Sequence, residues 1–78
     1  MKRILDFFKT ETPIFIELRG REAMLAQGYC RISLYSPERI TLSNEKYTVS
    51  VYGSALELRR LGEEAMAIDG RIDGVEFA

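Results

Sequence analysis

Hydrophobic and polar residues follow two different periods along this chain. Over Met1 to Lys9, Ile4, Leu5, Phe7 and Phe8 fall within one arc at about 100° per residue, with Lys2, Arg3, Asp6 and Lys9 opposite them. That pattern predicts a short amphipathic helix. Thr10 to Pro13 should stop it, because proline cannot continue a helix and pushes Thr12 toward an extended conformation.

From Ile14 the period becomes two. Ile14, Ile16 and Leu18 share one face of a strand that Gly20 ends, and Phe15, Glu17 and Arg19 share the other. The stretch from Ala23 to Gln27 alternates weakly and fits either a strand or a helical turn. A cleaner strand follows Gly28, with Cys30, Ile32 and Leu34 alternating against Arg31, Ser33 and Tyr35. Ser36-Pro37-Glu38 carries turn chemistry. Arg39 to Ser43 is expected to be a strand with Ile40 and Leu42 inward. Asn44-Glu45 reads as a tight hairpin leading into Lys46 to Tyr52, where Tyr47, Val49 and Val51 fall together. Gly53-Ser54 reads as the next turn.

Residues 55–67 are contested. Ser54 with Glu57 forms a capping-box pattern, and Ala, Leu, Glu, Arg and Met all favour helix. Against a helix, Leu56 and Leu58 alternate with Glu57 and Arg59, and Gly62-Glu63-Glu64 resembles a turn between two strands. Two strands are the preferred reading. Beyond Arg71, Ile72 and then Val75 and Phe77 switch parity at Asp73-Gly74, which points to a β-bulge. The expected fold is therefore all-β: a small antiparallel meander, either a partly closed barrel or a two-layer sheet, with a short N-terminal amphipathic helix. Residues 1–12 form the amphipathic segment and 13–78 a single all-β domain.

At 78 residues there is material for one small core, and a domain of this size usually leans on a disulfide, a metal or a partner. One cysteine and no histidine leave the partner, so self-association into a homo-oligomer is expected. Eleven basic against twelve acidic residues are too balanced for general nucleic-acid binding. Cys30 reads as a small core hydrophobe, with no histidine to activate it, in a chain suited to a reducing cytoplasm. The Lys2-Arg3 opening resembles a secretory signal, but Asp6 and Lys9 cut its apolar run short.

Chemistry-bearing motifs are sparse. The six glycines build neither a dinucleotide fingerprint nor a phosphate loop, and no zinc tetrad can be assembled from Cys and His. In Asp69-Gly70-Arg71-Ile72-Asp73-Gly74 an arginine stands where a calcium loop needs an oxygen ligand. No catalytic, cofactor-binding or metal-binding residues are assigned, and an enzyme is not expected. The candidate interaction residues are Ile4, Leu5, Phe7 and Phe8, whose apolar arc needs cover from this protein's own sheet, a second copy, or a membrane surface or partner. An alternative role is a small β-barrel module binding a ligand or single-stranded nucleic acid, with Tyr29, Tyr35, Tyr47 and Tyr52 as stacking platforms.

Several fixed points occur in a telling order. They are Pro13-Ile14, Leu18-x-Gly20, Gly28-Tyr29 with Arg31-Ile32, and Ser36 with Ile40 and Leu42. Val51-x-Gly53, Leu56-x-Leu58, Leu61 and Ile68-x-Gly70-x-Ile72-x-Gly74-Val75-x-Phe77 follow. From Pro13 to Phe77 this order resembles the YabP/YqfC family of sporulation proteins of endospore-forming Firmicutes. The resemblance favours strands over residues 55–69. It implies a non-enzymatic protein of the mother cell, cytoplasmic or peripheral at the mother-cell or forespore membrane. It also implies a membrane-protein partner, because family members are often encoded beside one. The family pattern holds no catalytic residues to carry over.

Overall fold

The computed structural model describes residues 14–78. The expected helix over Met1 to Lys9, with Ile4, Leu5, Phe7 and Phe8, lies outside the described residues. The described part is all-β: β1 (Phe15–Arg19), β2 (Ala23–Gln27), β3 (Arg31–Tyr35), β4 (Arg39–Ser43), β5 (Thr48–Gly62) and β6 (Ala65–Phe77). They form one six-stranded sheet in the order β1-β2-β6-β5-β4-β3, with every neighbouring pair antiparallel.

The meander expectation holds for β3 through β6. The β1–β2 hairpin departs from it by docking on the far side of β6. The sheet consequently reads the same from either edge: hairpin, long strand, long strand, hairpin. Phe15–Arg19 corresponds to Arg31–Tyr35, and Met24 and Ala26 correspond to Ile40 and Leu42, at a constant offset of sixteen residues. Met66 and Ile68 match Val49 and Val51 in the same way, and all of these central residues are buried.

The first half of β5 pairs with β4 and the first half of β6 with β2, so the long ribbon serves two wings and bends between them. Buried residues of both wings belong to a single core cluster. Two register shifts mark the bend, between Tyr52 and Gly53 and between Ser54 and Glu57. In the first, Tyr52 faces Gly74 and Gly53 faces Ile72, leaving Asp73 as the extra residue. This is the bulge that the parity switch at Asp73-Gly74 predicts.

The turn expected at Gly53-Ser54 is not there, because β5 runs straight through it. Glycine is needed at 53 for close approach: a Cβ there would overlap the Arg71 carbonyl. Across the ribbon Gly70, at φ 124°, lies so near Ala55 that its missing Cβ would press on the Ala55 carbonyl, and Ala55 itself takes a left-handed φ of 55°. The hairpin turns complete the bend. Gly53 N–H donates to the Glu38 carbonyl (3.1 Å) and Leu56 N–H to that of Pro37 (2.9 Å). On the other wing Gly70 N–H donates to Glu22 (3.2 Å) and Ile72 N–H to Arg21 (2.8 Å).

Residues 55–62 are strand rather than helix, and Glu63 and Glu64 form the expected turn. Leu56 is 2% exposed and Ile68 fully buried, so ladder partners and core burial outweigh the helical propensity of this segment. Ala23–Gln27 is a strand with Met24 and Ala26 inward. The connection from β4 to β5 spans residues 44–47 instead of the shorter turn expected at Asn44-Glu45. There the Asn44 Oδ1 accepts from the N–H groups of Lys46 (2.9 Å) and Tyr47 (2.8 Å). A bulge between Ile32 and Leu34 also breaks the alternation expected in β3, placing Leu34 opposite Thr41 and Tyr35 opposite Ile40.

Candidate interaction surface

The two sheet edges, β1 and β3, carry much of the protein's exposed apolar surface. Phe15 and Leu18 on β1 are 52% and 50% exposed, while Ile32, Leu34 and Tyr35 on β3 are 38%, 42% and 52% exposed. An edge strand has a neighbour on one side alone, so inward Leu18, Ile32 and Tyr35 lack the second flank that buries Met24 or Leu42, while Phe15, opposite Gln27, and Leu34, opposite Thr41, lie on the outer face. Leu18 pairs with Met24 and Ile32 with Leu42, which places both at the rim of the core layer.

On the outer face of the β3–β4–β5 wing, small hydroxyl residues pair across strands. Thr41 and Ser50 hydroxyls lie 3.0 Å apart, and those of Ser33 and Ser43 are also hydrogen-bonded. Among the described residues no buried side-chain polar atom lacks a partner. Arg21 and Arg71 both reach Asp73, at 3.1 and 3.3 Å, and Arg59 reaches Asp69 at 2.6 Å. All of these ion pairs are solvent-exposed and contribute little to stability. They use Asp69 and Asp73 as charge partners, and among the described residues no group of three potential metal ligands converges.

A shallow cleft of about 450 Å³ lies over the bend, lined by Tyr35, Ser36, Pro37, Ala55, Leu56 and Glu57. The Tyr35 hydroxyl at its margin accepts from Leu58 N–H at 2.9 Å. The tyrosines do not line a common strip. Tyr29 lies in the β2–β3 loop, where the hydrogen bond and charge of Glu64 hold its phenol above the ordinary value. Tyr47 packs on the core. Tyr52 lies under the Arg39 guanidinium (5.3 Å to the ring centre) and donates to Glu76 Oε1 at 2.9 Å.

Cys30 stands just before β3, half-buried against the core cluster. Burial pushes its thiol above the ordinary value, and the Arg60 cation opposes that in part. The thiolate is therefore scarce at neutral pH, and a thiol reagent should label the folded chain more slowly than the urea-unfolded chain. Cys30→Ala should lower the unfolding free energy by about 1 kcal/mol through lost packing. The sign of the pH effect follows from the raised value. Below the unfolded thiol's pKa, about 8.5, both states hold the proton and Cys30 has no pH effect. As pH rises from there toward the folded value, its contribution is lost and the protein becomes less stable.

Sequence reasoning placed the interaction residues at Ile4, Leu5, Phe7 and Phe8, outside the described residues, and missed β1 and β3. Their exposure follows from strand order, which no local pattern encodes. The family model described as the YabP family matches residues 10–78. No curated protein and no solved structure matches the chain.

Proposed function

Because the chain belongs to the YabP family, we propose that it is a non-enzymatic sporulation protein, a structural or assembly factor at the developing spore. The observation that carries this reading is the display of apolar side chains along both sheet edges. Such a module contributes surfaces rather than reacting groups. A homo-oligomer and a membrane-protein partner are the associations it is built to make.

Deleting the gene in its endospore-forming source tests the role. Heat-resistant spores should fall in number while vegetative growth is unchanged, and a fluorescently tagged chain should gather at the developing spore. A normal spore yield, or equal expression in growing and sporulating cells, would refute it.

The N-terminal segment supplies a second test. Phe7→Asp combined with Phe8→Asp should abolish co-sedimentation with anionic vesicles if Lys2, Arg3 and Lys9 act with the apolar arc at a membrane. So short a segment binds a bilayer weakly alone, so several copies in one oligomer should be needed. If the double variant loses its fold or its oligomeric state instead, the segment docks on protein. If fold, oligomer and spore yield all survive, it is dispensable.

A further inference from the structure

The two sheet edges differ in regularity. The pairing of β3 with β4 is broken by the bulge between Ile32 and Leu34, and a bulge disturbs the even spacing of backbone groups that a new strand needs. β1 pairs with β2 over five consecutive positions, Phe15↔Gln27 to Arg19↔Ala23, with no shift. Its outward row of N–H and C=O groups is therefore regular, and among the described residues no strand pairs with it.

β1 is also self-complementary. In an antiparallel pair of β1 strands with Leu18 opposite Leu18 of a second copy, Glu17 of each faces Arg19 of the other. The strand alternation puts Glu17 and Arg19 on one face and Leu18 on the opposite face. Among the described residues neither the Glu17 nor the Arg19 side chain has a hydrogen-bond or ion-pair partner, so both charges are available for this use. Shifting the register to set Glu17 opposite Glu17 brings like charges together. Leu18, 50% exposed beside the buried Met24, would continue the core layer into the second copy. On β3 the one charged residue is Arg31, so two β3 strands have no such match.

We propose that two copies of this chain pair antiparallel through β1, with Leu18 opposite Leu18 and two Glu17–Arg19 contacts across the junction. The contact is isologous and closes at two copies. The inference rests on the assembly reading above and names a second copy as the first partner.

Charge exchange in the full chain tests it. Glu17→Lys or Arg19→Glu alone should weaken the dimer about tenfold or more, measured by sedimentation equilibrium, and the two together should restore it to within about threefold. Far-UV circular dichroism should match for all, since both side chains are exposed. Register is read separately in a Cys30→Ala background. Leu18→Cys should oxidise to a disulfide-linked dimer and Glu17→Cys should not, because directly opposed residues alone fall within disulfide reach. A chain that is monomeric at tens of micromolar, a dimer indifferent to the charge changes, or a ladder of larger species from unlike edges would each overturn β1 pairing. If deletion still lowers the spore count, the assembly reading stands without it.

Discussion

Gly53→Ala is expected to be strongly destabilising, because the backbone around it cannot make room for a side chain. The added Cβ would overlap the Arg71 carbonyl and crowd the Ile72 Cα, all backbone atoms that cannot rotate away. Relief requires β5 and β6 to part at the bend, where Gly53 N–H also holds the Glu38 carbonyl at 3.1 Å. A forced backbone separation with a lost backbone hydrogen bond costs about 4 kcal/mol. The whole stability of a domain of this size is about 4–12 kcal/mol, so the loss takes about a third of it or more. Urea titration followed by circular dichroism gives the value, with Gly62→Ala as the control. A Cβ on Gly62 meets nothing within 4 Å, and that variant should stay within about 0.5 kcal/mol of the parent. A Gly53→Ala protein as stable as the parent would show that the ribbon does not cross so closely.

Ile68→Ala should cost about 4 kcal/mol in the same titration. Ile68 is fully buried and stands in the ladder between Met24 of β2 and Leu58 of β5, so the core it faces is closed on both flanks. Deleting its outer carbons forfeits transfer free energy and leaves a cavity that the flanking strands are too constrained to fill. Ile32→Ala removes the same atoms at the sheet edge, where Ile32 is 38% exposed, and should cost about 1 kcal/mol. Equal losses at the two sites would mean that the edge is covered in solution and would strengthen the case for a partner there.

Periodicity made much of the fold legible. The alternation of Ile40 with Leu42 and of Val49 with Val51 locates the inward face of the β4–β5 wing, and all four residues are buried. The parity switch before Val75 marks the bulge at Asp73. What the pattern hides is the purpose of a glycine. Gly53 sits beside a serine as a turn glycine would, yet serves a backbone crossing whose other half lies at Arg71. The correspondence of the two hairpins was equally hidden: at the sixteen-residue offset Ile16 and Ile32, Leu18 and Leu34, and Glu22 and Glu38 are the identities between residues 14–27 and 30–43. Packing tolerates such divergence as long as the inward positions stay apolar. The surface was least legible. Whether Phe15 or Leu18 is core or rim depends on which strand lies beside β1, and that neighbour is fixed by pairing β2 with a strand some forty residues later.

That long-range pairing makes the order of folding unequal. Hairpins β3–β4, β4–β5 and β5–β6 each close short loops, so one wing and the ribbon can assemble as a chain of local steps. The β1–β2 hairpin must wait until the first half of β6 exists, because β6 is the strand on which it docks. Its release is accordingly the cheapest partial opening of the molecule, and backbone amides in Phe15–Gln27 should exchange with solvent ahead of those in β4 and β5. The same opening would bare the first half of β6 as a fresh edge. Nascent chains are thus exposed to wrong strand pairing until the β1–β2 hairpin meets β6, which is synthesised some forty residues after it.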